Sequence, residues 1–419
     1  MSANLNHRKA SVRLRLLKRD GTPAANQEVK IKLKTHKFLF GVGCFEAVEV
    51  ASGRRLTANP GGDPVSDERK TLLTEKIDKL LRFNNYATLP FYIGRYEPQE
   101  GKPEETLLKK GARFLEERNI IVKGHPLCWH TVCADWLMNY SNADILKKVI
   151  ERIERDVSAF KGLIDIWDVI NEVVIMPVFD KYDNAVTRIC KEYGQVRIVK
   201  EVFEAAKRAN PDALLLLNDF DTSKDYEILI DKLLQAGIKI DVIGIQSHQH
   251  QGYWGAERLN DVLSRFSRFK LPIHFTENTL ISGDIMPSHI EDLNDWVVDD
   301  WPTTPEGEER QAKEIAEMYD ILFAHPQVEA VTTWSGGDNA WLHAPAGFLR
   351  TDNSEKPSYK AIYEKINGEW HTEISSKTDS DGCVDAEGFK GVYELSCMQK
   401  NVTFNIDGKY QKMELKIDD

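Results

Sequence analysis

The amino-acid sequence predicts an α/β protein: a (β/α)8 TIM barrel with a small accessory β-sandwich built from the N- and C-terminal segments. With 419 residues, the chain exceeds the size at which a single hydrophobic core usually stops growing, so one large barrel or two unequal domains are expected. The middle of the chain repeats a strand followed by a helix eight times. Both ends instead alternate polar and apolar residues over short runs.

The N-terminal segment, residues 1–36, contains the first of these alternating patterns. Runs on both sides of "RDGTPAANQ" predict two strands joined by a turn-rich loop. The same alternation of polar and apolar residues occurs in residues 367–419, where Asp-Gly and Glu-Gly turns separate short runs. Neither segment is expected to bury enough area to fold alone, so we expect the two to form one accessory domain.

Residues 37–366 form the predicted barrel. Its strands correspond to eight apolar runs: "FLFGVG", "NYATL", "IIVKGHPLCW", "DIWDVIN", "ALLLLND", "VIGIQSH", "PIHFTEN" and "VTTWS". Amphipathic stretches such as "EERQAKEIAEMYDILFAH" lie between them and predict helices. Continuous apolar runs are typical of strands buried on both faces, and in this fold the carboxyl ends of the strands carry the functional residues.

The composition excludes some classes of partner. The net charge is −11 and the isoelectric point is about 5.6, without a basic run interleaved with aromatic residues, so nucleic acid is not an expected partner. No stretch approaches the length needed to span a bilayer, and the N-terminus lacks the apolar region of a signal peptide. We expect no membrane partner, and a secreted or periplasmic protein whose signal peptide is not part of this sequence.

Six cysteines show no Cys-x-x-Cys pair and no zinc-like spacing, which argues against a metal knuckle and against a disulfide framework. Free thiols are therefore expected. Cys383 and Cys397 flank a predicted hairpin, and a disulfide between them in an oxidising compartment is a separate hypothesis. No metal and no cofactor are predicted, and the sequence leaves the oligomeric state open.

Polar and aromatic residues follow the carboxyl ends of the predicted strands. In chain order they are His125, Trp129, His130, Asn171, Glu172, Asn218, Asp219, Gln246, His248, His250, Glu277, Asn278, Trp334, Asp338 and Trp341. Glu172 ends the fourth strand and Glu277 the seventh, so the two face one another across the mouth of an eight-stranded barrel. A carboxyl pair beside tryptophan faces suits glycosidic hydrolysis, because one carboxyl protonates the leaving oxygen and the other attacks or stabilises the anomeric carbon.

Plainer interpretations exist for each of these residues. A glutamate at a strand end is usually solvated, and a tryptophan or histidine is usually part of the core. Two glutamates inside apolar strands, each beside an asparagine, fit that interpretation less well. Two other functions stay open: a non-catalytic or weakly active carbohydrate-binding barrel, and a metal-dependent TIM-barrel hydrolase with imidazole ligands from "HPLCWH" and "SHQH". The metal hydrolase lacks a His-x-His after the first strand.

Over residues 38 to 366 the chain resembles glycoside hydrolase family 10, the xylanase family. The resemblance rests on "GHPLCWH", "WDVINEV", "IGIQSH", "TEN" and "TTWSGGDNAWL" in that order, followed by "FLRTDNSEKPSYKAI". It implies a retaining endo-acting β-1,4-glycanase whose usual substrate is xylan. A polysaccharide or oligosaccharide is therefore the expected partner.

The resemblance also implies a role for each matched residue. Glu172 looks like the acid/base and Glu277 like the nucleophile. Supporting roles are implied for Asn171 at the sugar 2-hydroxyl, His248 and Gln246 beside the nucleophile, His125 and Trp129 lining the cleaved sugar, and Trp334 and Trp341 above it. Because the acid must start protonated, we expect burial and the charge of Glu277 to raise the pKa of Glu172.

The chain departs from the family pattern at three places. After the second strand, "ATLPFYIGRYEPQEGK" replaces a Glu-Asn pair and a Lys-Trp; Val132 replaces a Gln; and Asn278 and Thr279 replace the Leu-Asp that usually follows the nucleophile. The first change predicts altered recognition at the distal sugar subsite, and the last one removes an acidic support of the catalytic histidine. Arg95 is the nearby cation there, either as a solvated loop residue or as a partner for an acidic substituent such as a uronic acid.

Overall fold

The computed structural model describes residues 4–417. Its strands, in chain order, are β1 (Lys9–Lys18), β2 (Glu28–His36), β3 (Leu39–Gly43), β4 (Arg54–Arg55), β5 (Asp63–Pro64), β6 (Tyr86–Pro90), β7 (Ile121–His125), β8 (Ile166–Asn171), β9 (Leu214–Asp219), β10 (Val242–Gln249), β11 (Ile273–Leu280), β12 (Val328–Thr333), β13 (Glu373–Lys377), β14 (Cys383–Phe389), β15 (Gly391–Cys397), β16 (Lys400–Ile406) and β17 (Tyr410–Ile417). Its α-helices are α1 (Glu46–Ser52), α2 (Asp67–Leu80), α3 (Ile93–Tyr96), α4 (Glu105–Glu116), α5 (Asn142–Ala159), α6 (Ala185–Tyr193), α7 (Gln195–Ala209), α8 (Lys224–Gln235), α9 (Gly255–Ser267), α10 (Pro305–Ala324) and α11 (Pro357–Glu364).

Strand β3 and strands β6 to β12 close into a barrel, in chain order and with β12 beside β3. Neighbouring strands run parallel from β3 through β6 and on to β12. Every residue of β6 and of β11 is buried, because one face packs against the barrel interior and the other against the surrounding helices. All eight predicted apolar runs are strands of this barrel, so the predicted (β/α)8 fold is confirmed.

The helices between the strands have one apolar face each. In α5, Ile145, Val149 and Ile153 are buried at four-residue spacing, which places them on the same side of the helix. The side-chain oxygen of Ser141 accepts the backbone N–H of Asp144 at 3.2 Å and caps the first turn. Each such buried aliphatic side chain stabilises the fold by roughly 1.5–3 kcal/mol relative to an exposed one.

Three barrel strands carry an extra residue where their pairing register shifts. It lies between Asp168 and Ile170 in β8, between Phe275 and Glu277 in β11, and between Val328 and Ala330 in β12. A bulge adds an unpaired residue and changes the direction in which the following side chains point. Two of the three, β8 and β11, are the strands that position the two glutamates.

The two ends of the chain together form the accessory β-sheets, as predicted. One sheet has three strands in the order β14, β1, β17, and the other has four in the order β13, β2, β15, β16. The N-terminal strands β1 and β2 therefore each lie between C-terminal strands. Alternate residues of β1 and β2 are buried, which is the period expected when one face of a strand packs on a core.

One expected local pairing is wrong. Strands β14 and β15 do not form the predicted hairpin, because the chain passes from one sheet to the other between them. At this crossing Gly391 lies against the carbonyl of Thr35, where a β-carbon would collide with the backbone. Cys383 and Cys397 therefore lie in different sheets as free thiols, and the hypothesis of a disulfide between them is wrong.

Within the described residues the chain divides into two compact units. One combines residues 4–39, 322–326 and 360–417, and the other comprises Phe40–Ile321 and Gln327–Tyr359. The division into 1–36, 37–366 and 367–419 stays a prediction. No helix in the described part of the chain has both the length and the apolar composition needed to cross a membrane.

Candidate active site

Glu172 follows directly after β8, in an unusual backbone conformation. Its φ angle is +56°, in the left-handed region that non-glycine residues occupy rarely and that is common at functional sites. Its backbone N–H donates to the carbonyl oxygen of Asn218 at 2.8 Å, which ties the end of β8 to the neighbouring strand. The backbone therefore holds the glutamate in one orientation.

The side chain of Glu172 accepts three hydrogen bonds. Trp129 Nε1–H donates to Oε2 at 2.8 Å, while the amide nitrogens of Asn171 and Gln246 donate to Oε1 at 3.0 and 3.2 Å. His130 Nε2 lies 3.9 Å from Oε2, and burial lowers the pKa of that imidazole to about 4, so it is neutral at physiological pH.

The electrostatic surroundings keep Glu172 protonated near neutral pH. Burial has the largest effect, and the negative charges of Glu277 and Asp219 add to it, so that the pKa of Glu172 rises to about 8. Burial likewise raises the pKa of Asp219 to about 7, although Asp219 accepts the backbone N–H of Val174 at 3.0 Å. Glu172 can therefore donate a proton at pH 7.

The pKa of Glu277 is shifted in the opposite direction to that of Glu172. It lies within β11 and is only 4% exposed, and burial alone would raise its pKa. The electrostatic attraction of His125 and the hydrogen bond with His248 outweigh burial, so the pKa of Glu277 is lowered. His125 Nδ1 lies 3.9 Å from Glu277 Oε1, and His248 Nε2 lies 3.3 Å from Glu277 Oε2. Glu277 is thus the ionised member of the pair.

Asn218 at the end of β9 connects the two glutamates. Its Nδ2 donates to Asn171 Oδ1 at 2.7 Å and to Glu277 Oε1 at 2.9 Å. Its Oδ1 accepts the hydroxyl proton of Thr276 at 2.6 Å. Gly244 leaves room for this amide, since a β-carbon there would collide with Asn218 Oδ1. From the sequence, Asn218 could be predicted only as a polar residue at a strand end, and its hydrogen bonds to Asn171 and Glu277 could not be predicted.

His125 contacts a buried ion pair formed by Asp168 and Lys123. His125 Nδ1 lies 2.7 Å from Asp168 Oδ2, and Lys123 Nζ lies 2.6 Å from the same oxygen. Although burial opposes it, the positive charge of Lys123 and the hydrogen bond with His125 lower the pKa of Asp168. The sequence analysis missed Lys123 and Asp168, although a lysine and an aspartate inside continuous apolar runs were the available signal.

His248 is held from its other ring nitrogen by a hydroxyl group. Thr279 Oγ1 lies 3.3 Å from His248 Nδ1 and 3.2 Å from the Nδ1 of the buried His250. A hydroxyl both donates and accepts, so it can connect the two imidazoles. This is the position at which the sequence departs from the acidic residue of the family pattern.

Aromatic side chains surround the two carboxyl groups. The ring centroid of Trp341 lies 4.6 Å from that of His248, and the ring centroid of Trp334 lies 5.1 Å from that of His125. The ring centroid of Tyr92, a residue of the altered segment after the second barrel strand, lies 5.5 Å from that of Trp129. The structure thus brings together the predicted site residues, namely Glu172, Glu277, Asn171, His248, His125, Trp129, Gln246, Trp334 and Trp341.

Asp338 is the strand-end residue that points elsewhere. It accepts the ammonium proton of the buried Lys356 at 2.6 Å and the backbone N–H of Gly347 at 3.0 Å. These contacts hold the loop after β12 and give Asp338 a structural position. Within residues 4–417, no group of three or more His, Cys, Asp and Glu side chains is arranged to hold a metal ion.

A parallel barrel whose strand ends hold two buried carboxyl groups of opposite protonation, between aromatic rings, has the architecture of the barrel glycosidases. A model of one family, Glycosyl hydrolase family 10, matches residues 93–365, which is more than half of the chain. The chain belongs to glycosyl hydrolase family 10.

Two of the similar proteins are named as xylanases. The endo-1,4-beta-xylanase/feruloyl esterase of Xylanibacter ruminicola is 27% identical over 310 residues, which cover 66% of this chain and 40% of that protein. Endo-1,4-beta-xylanase C of Paenibacillus barcinonensis is 26% identical over 336 residues, which cover 72% of this chain and 29% of that protein. This chain thus spans less than half the length of either relative.

A solved structure, that of GH10 from Paenibacillus barcinonensis, has the same fold. It is 22% identical to this chain, with a TM-score of 0.61 over 79% of this chain and 95% of its own.

Proposed function

We propose that this protein is a retaining glycoside hydrolase that cleaves internal β-1,4 linkages of xylan or a related, decorated plant polysaccharide. The observation that carries the proposal is a pair of buried glutamates at one site, connected by the hydrogen bonds of Asn171 and Asn218. The opposite directions of their pKa shifts, raised to about 8 for Glu172 and lowered for Glu277, agree with it. Membership of family 10 and the names of the relatives support the substrate class.

In the first step, a carboxylate oxygen of Glu277 forms a bond to the anomeric carbon. The glycosidic bond breaks at the same time, and Glu172 gives its proton to the departing oxygen. The products of this step are a glycosyl-enzyme ester on Glu277 and an ionised Glu172.

In the second step, Glu172 takes a proton from water while the water oxygen attacks the anomeric carbon and releases Glu277. Once Glu277 is esterified it carries no charge, so the pKa of Glu172 falls and ionised Glu172 becomes a suitable base. The anomeric carbon is inverted twice, and its β configuration is therefore retained.

The neighbouring residues position the reacting groups. Asn171 donates to Glu172 at 3.0 Å, and we assign it to the 2-hydroxyl of the cleaved sugar, where hydrogen bonds strengthen in the transition state. Trp129, Trp334 and Trp341 would provide apolar faces for sugar rings. A secreted or periplasmic location is part of the same proposal, since polysaccharides are met outside the cytoplasm.

The test is hydrolysis of xylan with NMR detection of the first-formed anomer. We expect the β-anomer, and a Glu277→Ala variant without turnover, whereas Glu204→Ala on the outer helix α7 should behave as wild type. An α-anomer would contradict retention. Xylan binding without any product would support the alternative of a carbohydrate-binding barrel.

A further inference from the structure

A cavity of about 120 Å³ opens next to the candidate active site, within the barrel unit. It is lined by residues that include Phe45, Glu49, Arg55, Tyr92 and Arg95. A single water molecule needs only about 10–15 Å³ measured in this way, so the cavity has room for a larger chemical group. All of its lining residues except Arg95 precede residue 93, where the match to the family model begins.

Two aromatic rings form the wall between this cavity and the active site. The ring centroid of Phe45 lies 5.4 Å from that of Trp334. The ring centroid of Tyr92 lies 5.5 Å from those of His125 and Trp129, and Trp129 donates to Glu172. An occupant of the cavity would therefore lie directly beside the sugar that is cleaved.

The cavity presents unbalanced positive charge. Its one carboxylate, Glu49, is neutralised from behind by Arg69, whose Nε and Nη2 donate to it at 2.8 and 3.2 Å. Arg55 has only a loose ion pair, 3.9 Å from Asp63. Among residues 4–417 the guanidinium of Arg95 has no ion-pair partner. Two guanidinium groups thus meet one neutralised carboxylate in a cavity with aromatic walls.

We propose that this cavity binds a uronic acid substituent carried on the xylan backbone, with its carboxylate at Arg95 and Arg55 and its ring against Tyr92 and Phe45. The inference rests on the proposed function and names the substrate class of the same site. Guanidinium groups suit a carboxylate because their planar N–H donors match its two oxygens. Aromatic faces suit the apolar faces of a sugar ring, which supplies the rest of the contact.

The experiment compares three oligosaccharides of equal xylose backbone length: linear, branched with glucuronic acid, and branched with the same sugar after its carboxyl group is reduced to an alcohol. The reduced branch keeps the shape and removes the charge. We expect kcat/KM to be about tenfold higher on the glucuronic acid branch than on either other substrate, which corresponds to roughly 1.4 kcal/mol. The preference should weaken at high salt, because both arginines are exposed to solvent.

Variants assign the preference to the cavity. In Arg95→Gln, and more fully in a double variant that adds Arg55→Gln, the ratio of kcat/KM between charged and reduced branches should fall toward one. Arg197→Gln is the matched control, since its side chain is 55% exposed on α7 and that of Arg55 is 53% exposed. An unchanged ratio in the double variant, or a ratio of one in the wild type, would overturn the inference.

Binding separates this inference from the proposed function. Calorimetry with the Glu277→Ala variant measures the preference for the charged branch without turnover. Selective binding by a wild type that hydrolyses none of the substrates would overturn the proposed function alone, and hydrolysis without selectivity would overturn the cavity alone. A linear oligomer of galacturonic acid tests the other source of carboxylate, and its tighter binding would overturn the assignment to a branch.

Discussion

The protonation of Glu172 gives a prediction that joins pH, leaving group and mutation. The pKa of Glu172 is about 8, against an ordinary value of 4.5. At pH 7 about 90% of the side chain is then protonated, whereas a glutamate titrating at 4.5 would be only about 0.3% protonated. The surroundings of Glu172 therefore raise the concentration of the reactive acid roughly 300-fold at neutral pH.

The pH profile follows from the sign of this shift. The acid is active when protonated, so kcat/KM on a substrate with a poor leaving group should fall above about pH 8, by about tenfold per pH unit. At low pH, kcat/KM should fall when Glu277 becomes protonated. Because the pKa of Glu277 is lowered, this fall should occur below the ordinary pKa of a glutamate. The two apparent pKa values of the pH profile are properties of the coupled pair, because the charge of each carboxyl group influences the titration of the other.

The assay uses two aryl β-xylosides that differ only in the acidity of the leaving phenol. Glu172→Ala should lower kcat/KM on the poor leaving group by roughly 10²–10⁴-fold and abolish the alkaline limb. With a highly acidic phenol, which departs without a proton, loss on the glycosylation step should be small. Glu204→Ala is the control variant. Equal losses on both substrates, or an alkaline limb that survives in Glu172→Ala, would refute the assignment of the acid.

Three further predictions test the support of the site, the accessory sheets and the metal-free chemistry. Thr279→Val should lower kcat about tenfold to 10²-fold with little change in KM, because the imidazole of His248 loses its hydroxyl partner. Thr279→Ser keeps the hydroxyl and should keep most of the activity. Wild-type kinetics in the valine variant would show that this hydroxyl does not hold His248 for catalysis. Deleting residues 1–36 removes β1 and β2, which leaves β13, β14 and β17 without a paired strand and exposes one edge of β15. The melting temperature should therefore fall, and an unchanged value would show that the two ends are stable independently. Dialysis against EDTA should leave kcat/KM unchanged, and a loss that zinc restores would favour the metal-dependent hydrolase.

The barrel could be predicted from the sequence because parallel strands covered on both faces must be apolar along their whole length. The same rule exposed Glu172 and Glu277, since a carboxyl group within an apolar run is conspicuous. The rule did not lead to Lys123 and Asp168 as site residues. They lie inside the same runs, but the sequence does not show that they meet at 2.6 Å across neighbouring strands and neutralise one another.

The accessory sheets show a different limit. Alternating residues predicted β1 and β2 correctly as strands, because one buried face imposes a period of two. That period says nothing about the partner strand, and the predicted hairpin flanked by Cys383 and Cys397 is absent because β14 and β15 lie in different sheets. The sequence pointed to Arg95 near the distal subsite, but not to the cavity that Arg95 lines. The walls of that cavity come from the segments after β3 and β6, and no local pattern connects Phe45 with Arg95.

The charges at the barrel mouth explain why the two glutamates differ although both are buried. The side chains of Asp168 and Lys123 are fully buried and form an ion pair, so together they add no net charge beneath the site. Glu277 can ionise because His125 and His248 lie within 4 Å of it. Glu172 has only neutral donors, Trp129, Asn171 and Gln246, so a second buried negative charge would face the first without a cation of its own. Burial raises the pKa of Glu172 most and the charge of Glu277 adds to it, so formation of an ester on Glu277 would remove the second contribution and make ionisation of Glu172 easier.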